Sequence, residues 1–353
     1  MKMTDKNFMS NTTNNFNILR LFAASIVVYS HSFPLSMGSN EFEPFKLVTG
    51  YFTLGQLAVS IFFVISGYLI TISWNRKPIF LEFCWKRLLR IYPGMIAAII
   101  FTVFIIGSTA TSLSFKEYLG SIPYLQIIKN MILLQQANLP GVFVNNSYPN
   151  AVNGSLWTLL WEAKMYLITA ILGLTGILKK RWPVVYFTLF AIAFTYFKLT
   201  LPIISSFVND YSIYYLVGTL FAIYNNSIKY RLALLTPLFL IWILSFKTSF
   251  FTLITNIFLP YLILYLALNS KVIMQKLLKM GDFSYGVYIY AFPIQQFIVH
   301  LFQNEISPIE LFFISFPLII ICSYFSWNLI EKKALEMKNI DINRISMKIY
   351  GVD

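Results

Sequence analysis

Residues able to do polar chemistry are few and widely spaced in this sequence. Arg20 and His31 lie eleven residues apart in one apolar stretch. At about 100° and 1.5 Å per helical residue, that spacing is three turns plus roughly 20° and a rise of about 16 Å, so both face the same way. A cation at one end of a helix face and a titratable base at the other suit an anionic cofactor that enters from one side and reacts near the other. Each residue also has a plainer reading. Arg20 could be a cation whose stem snorkels to an interface, and His31 a buried imidazole bonded across helices, or an interfacial residue just before Pro34.

Glu162 follows Ser155-Leu156-Trp157-Thr158 in a later apolar stretch, about two turns below its outer end and at a depth His31 could share. A carboxylate and an imidazole at one depth form a base-and-orienter pair, the carboxylate fixing the tautomer and stabilising the imidazolium. The alternative is a salt bridge of Glu162 with Arg20 or Lys164, although positions i and i+2 do not face each other on a helix. Arg87 and Arg90 stand at i and i+3, neighbours on one face, with Pro93 suited to the first turn of the next span. Inner-interface cations are expected for topology and lipid headgroups alone, yet paired guanidiniums suit a pyrophosphate better than lone lysines do.

The elements that must hold these groups are set by composition. Of 353 residues, 58% are hydrophobic, 18% aromatic and only 12% charged. Mean hydropathy is +0.68. A soluble domain carries about twice that charge, so an ordinary cytosolic enzyme, a secreted module and a disordered scaffold are poor fits. Apolar runs over 16–33, 54–72, 93–107, 156–177, 183–197, 211–224, 232–246, 248–268, 283–302 and 309–330 predict an all-α integral membrane protein of about ten transmembrane helices. The first run has no small-x-small cleavage site after it and reads as an uncleaved span.

With the N-terminus inside, 20 Lys and Arg fall in the cytoplasmic connections, Lys2, Lys271 and Lys348 among them, and 5 in the outer ones. That split predicts both termini in the cytoplasm. It also accounts for the net charge of +13. Basic residues spread over every inner loop do not form a nucleic-acid patch. Cys84 and Cys322 lie in unrelated contexts and suggest packing thiols, neither a disulfide framework nor a metal site. The outer connection 108–155 is too long for a simple turn and reads as a lid or an acceptor platform. One transmembrane domain over about 15–333, with a short tail over 334–353, is the expected organisation.

Several stretches, in order, resemble the type 3 integral-membrane acyltransferases that O-acylate bacterial surface polysaccharides. Asn17 to Arg20 through Ser30-His31-Ser32 is similar to that family's opening Arg, ten residues, His motif. Ser60 to Ser66-Gly67-Tyr68 resembles its second-span signature, and Arg87-Leu88-Leu89-Arg90-Ile91-Tyr92-Pro93 its Arg-x-x-Arg-x-Tyr-Pro element. Ser155 to Glu162 and Tyr166, then Ser284-Tyr285-Gly286-Val287-Tyr288, then Ile330-Glu331-Lys332 resemble its later segments. Many members carry a His soon after the Ser-Tyr-Gly-x-Tyr stretch, where this chain has Tyr290-Ala291, so no role is carried over there.

The resemblance implies transfer of an acyl group, most often acetyl from acetyl-CoA, to a hydroxyl of an exported or lipid-linked glycan at the inner membrane. Arg87 and Arg90 would then hold CoA phosphates and Arg20 another part of the donor. His31, oriented by Glu162, would serve as base on the acceptor hydroxyl or carry the acyl group transiently. Tyr285 and Tyr288 would donate to the thioester carbonyl, unless they are packing aromatics. The rival from another class is a transporter or flippase, which the absence of a hydropathy repeat between the two halves disfavours.

Overall fold

The computed structural model describes residues 14–132, 138–197, 209–268 and 281–339. Lys2, Lys6, Lys198, Lys271, Lys276, Lys279, Arg344 and Lys348, all used in the charge count, lie outside the described residues. Among the described residues the chain is all helical, with one isolated bridge between Thr111 and Val142. Cys84 and Cys322 are unpaired and half-buried.

The main helices are α1 (Phe16–Met37), α2 (Pro44–Thr49), α3 (Leu54–Arg76), α4 (Phe80–Phe101), α5 (Phe115–Ser121), α6 (Tyr124–Ile132), α7 (Trp157–Leu174), α8 (Arg181–Tyr196), α9 (Asp210–Ile223), α10 (Leu232–Leu244), α11 (Phe251–Leu268), α12 (Ser284–Leu301) and α13 (Pro308–Ser326). Each of the ten expected apolar runs falls on a helix. Among the described residues, five helical stretches are long and apolar enough to cross a membrane: Phe16–Met37, Leu54–Arg76, Phe80–Ala110, Phe251–Leu268 and Pro308–Glu336. The protein is a multi-pass membrane protein.

Helix ends follow local chemistry. Thr53 and Gln56 form a reciprocal capping box at the start of α3, and Ser307 with Glu310 does the same for α13, where Pro308 takes the first turn. The α1 helix stops at Gly38, whose φ of 73° is the left-handed conformation that ends helices. The third expected span begins earlier than hydropathy placed it. Pro93 lies inside α4, not at its first turn, so Arg87 and Arg90 stand on a helix, not in a connection. The amphipathic stretch from Phe80 hides from a hydropathy scan because its cations dilute the average. After α4 the chain makes a π turn over Thr102–Gly107, and α13 runs into another over Trp327–Glu331.

Burial separates the roles of the helices. α12 is buried around nearly its whole circumference, which marks a bundle centre. α10 buries none of its side chains, although its sequence is almost wholly apolar, and such a surface fits hydrocarbon. α3 and α9 cross at two glycines. A Cβ on Gly67 would stand 2.0 Å from the Tyr215 carbonyl oxygen, and one on Gly218 would stand 2.3 Å from the Val64 carbonyl oxygen. Small residues let membrane helices approach this closely. Beside them Thr71 bonds Thr219 at 3.1 Å.

Candidate active site

A cavity of about 310 Å³ lies among α1, α3, α4, α7 and α12, and Arg20, Lys86, Arg87, Arg90 and Lys338 all reach it. Glu162, Tyr285 and Tyr288 line it too. Arg90 Nη2 donates to Asp282 Oδ2 at 2.7 Å, and Arg20 Nη1 lies 3.5 Å from the same oxygen. The other oxygen of Asp282 accepts from Ser284 Oγ at 2.5 Å. One carboxylate therefore clamps two guanidiniums from different helices and leaves a net positive charge. Arg87 lies over the rings of Phe83 and Tyr166, at 5.7 and 5.8 Å, with Nε buried and making no hydrogen bond among the described residues. Stacking of this kind holds a guanidinium plane in place while its charge stays available. A neighbouring groove of about 600 Å³ shares Arg20, Arg90 and Lys338 and adds Lys332.

Glu162 faces this basic cavity. Its Oε1 accepts from Ser66 Oγ at 3.1 Å and from the Tyr166 hydroxyl. Tyr285 donates to the Ile91 carbonyl oxygen at 2.7 Å, which ties α12 to α4. Deeper in, the lining turns apolar, with Val59, Phe62, Phe63 and Leu159.

His31 opens onto a second cavity, of about 730 Å³, whose lining includes Asn40, Lys46, Gln56, Asn150, Trp157 and Tyr211. The His31 ring packs edge-on against Phe292 with centroids 5.4 Å apart. Its Nδ1 is buried and has no hydrogen-bond partner among the described residues. Gln295, fully buried in α12, donates to the Val28 carbonyl oxygen at 2.9 Å and to Ser32 Oγ at 2.8 Å, fixing α1 around His31. Gln296 donates to the Tyr148 and Ala151 carbonyl oxygens at 2.7 and 2.8 Å. Asn146 returns two bonds to Gln296. These contacts hold the end of the long 108–155 connection against the cavity, which Tyr148, Pro149, Asn150, Ala151 and Gly154 help to wall.

Arg20, Arg87, Arg90, Glu162, Tyr285 and Tyr288 thus come together in one chamber, and His31 stands in the other. Only Tyr288 of that set borders both. Two sequence expectations need correction. Glu162 does not bond to His31, because the packing of α7 against α3 gives it Ser66 and Tyr166 instead. Nor does Arg20 bridge Glu162, since its carboxylate partner is Asp282. Sequence reasoning passed over Asp282 and Gln295. The signals were present: an acid two residues before Ser284-Tyr285-Gly286, and adjacent glutamines within an apolar helix.

The profile of a family described as an acyltransferase domain matches residues 13–328. An O-acetyl transferase of Shigella phage Sf6 is 29% identical over 350 residues, covering 92% of this chain and 96% of the phage protein. Nodulation protein 10 of Rhizobium leguminosarum bv. viciae is 32% identical over 167 residues, 44% of this chain and 42% of that protein. No solved structure matches significantly. A family match over this much of the chain, on a bundle with two polar chambers, defines a multi-pass membrane O-acyltransferase. The chain belongs to this acyltransferase family, the one its motifs resemble, and is an enzyme.

Proposed function

We propose that this enzyme moves an acetyl group from cytoplasmic acetyl-CoA to a hydroxyl of an exported or lipid-linked glycan, working in the cytoplasmic membrane with both termini on the cytoplasmic side. The observation that carries the reading is the pair of abutting chambers, one basic and one containing His31. The donor set fits CoA. Arg87 and Lys86 offer charge to phosphates, Asp282 holds Arg20 and Arg90 in fixed positions, and the apolar depth suits a pantetheine arm. The phage relative's name supports acetyl as the group transferred. The aromatic and amide lining of the second chamber suits a sugar, which offers hydroxyls and an apolar ring face.

In the reaction the acceptor oxygen attacks the thioester carbonyl carbon, the C–S bond breaks, and CoA leaves as the thiol. His31 takes the hydroxyl proton and returns it to the departing sulfur. Glu162, bonded to Ser66 and Tyr166 beside Arg87, orders the donor chamber. Purified protein in detergent should release CoA from acetyl-CoA in the presence of the host's surface glycan and leave an ester on it. Glycan unchanged in mass after incubation with active wild-type membranes would overturn the reading.

A further inference from the structure

The two chambers share three lining residues, Val59 of α3, Thr158 of α7 and Tyr288 of α12. All three are buried. Thr158 Oγ1 and the Tyr288 hydroxyl are 2.6 Å apart, and Thr158 Oγ1 also lies 3.2 Å from the Ser155 carbonyl oxygen, to which it donates. Either hydroxyl can donate in the shorter bond, which ties α7 to α12. The Tyr288 ring is held from the basic side by the edge of Phe62, at 5.7 Å. Three helices therefore close one constriction through a hydrogen bond between two of them.

The cations that hold a donor's anionic end stand on one side of this constriction, and His31 stands on the other. Along α1, Arg20 and His31 are separated by about 16 Å. A charged nucleotide retained by the arginines cannot follow its own acyl group, but a thin, uncharged thioester arm can reach forward. Its tip must pass Val59, Thr158 and Tyr288. Val59, Thr158 and Tyr288 are therefore the side chains an acyl chain meets between the chambers, and their bulk bears on how long a chain can be seated there.

We propose, resting on the donor and acceptor chambers assigned above, that Val59, Thr158 and Tyr288 form the acyl-selecting constriction of the enzyme. The Tyr288–Thr158 bond yields when the thioester arm enters, and the side chains around it set the chain length transferred. Tyr288 then acts first as a specificity residue, its hydroxyl being engaged with Thr158 until the arm arrives.

The test uses the full chain in membrane vesicles of its host, which carry their own glycan, supplied with acetyl-, propionyl- or butyryl-CoA. The readouts are ester mass on the glycan and CoA affinity of the same variants in detergent. One methylene in an apolar pocket discriminates by roughly tenfold or more. Thr158→Ala and Val59→Ala should each raise the ratio of butyryl to acetyl transfer by about that factor. Val59→Leu should lower acetyl transfer while CoA affinity stays within about twofold, since it leaves the arginine cluster untouched. Wild-type vesicles that consume acetyl-CoA, with a butyryl-to-acetyl ratio unchanged in both alanine variants, would overturn the constriction and leave the donor and acceptor assignment standing. Wild-type vesicles that transfer no acetyl group would overturn that assignment and this one with it.

Discussion

At the scale of single residues, the proposed chemistry divides between a group that moves a proton and groups that hold charge. His31 has no substitute nearby, since the other histidine, His300, packs by Phe143. Replacing His31 with Ala should cost about 10²- to 10⁴-fold in turnover, the usual worth of a general base, with membrane insertion and CoA affinity retained. Wild-type turnover by purified His31→Ala would remove it from the mechanism. Arg87 has the opposite signature. Charge-assisted bonds are worth about 1.5–3 kcal/mol, so Arg87→Ala should weaken CoA binding by roughly ten- to a hundredfold, and Lys should not restore it fully because a point charge lacks the planar fork. CoA bound as tightly by Arg87→Ala as by wild type would end that assignment. Asp282 was not evident from spacing and now carries two guanidiniums. Removing the carboxylate from this partly buried cluster leaves two guanidiniums without their counter-charge, and Asp282→Asn should show it as a lowered unfolding temperature in detergent.

Elements decide how precisely those residues are held. α12 does most of this positioning, through Gln295 to α1, Gln296 to the 146–151 loop and Tyr285 to α4. The α3–α9 crossing sets how near Ser66 and Val59 stand to α7, and it depends on two glycines without space for a methyl group. Overpacking costs typically 1–3 kcal/mol, occasionally more. Gly218→Val meets backbone, not a flexible side-chain end, so it belongs at the upper end. The expected result is reduced yield of folded protein together with loss of activity, measured by size-exclusion chromatography in detergent. A monodisperse, fully active Gly218→Val protein would show that this crossing does not support the site. Gly120, with open space around it, is the matched control for the same substitution.

For the whole molecule, the arrangement of ends matters most. Asn304 donates to the Asn145 carbonyl oxygen at 2.9 Å and accepts from the Ser147 amide at 2.7 Å, so the 108–155 connection and the α12–α13 turn meet at the His31 end. Lys86, Lys332 and Lys338 gather at the arginine end. If the arginine end faces the cytoplasm, a cysteine label at Asn145 should react from outside intact cells and labels at Lys180 and Lys338 should not. An outside-accessible Lys338 would reverse the proposed orientation and with it the cytoplasmic source of the donor.

Properties that follow from neighbours in the chain were legible without a structure. Apolar runs and ordered motifs are local, and they placed ten helical stretches and the acyltransferase motifs, but missed the start of α4, where cations on one helix face masked an amphipathic segment, and the short helices α2, α5 and α6 of the connections. They also put Arg20 and His31 on one face of α1, and the two prove to line neighbouring chambers. Which polar groups meet across helices was not legible. Arg90 finds Asp282 across 192 residues and Ser66 finds Glu162 across 96, pairings set by helix rotation and closeness of approach. Hydropathy reports how much of a helix is apolar but not toward which neighbour its few polar side chains turn. Only packing, through Gly67, Gly218 and the buried amides of α12, decided that Glu162 serves the basic chamber while His31 stands beyond the Tyr288–Thr158 bond.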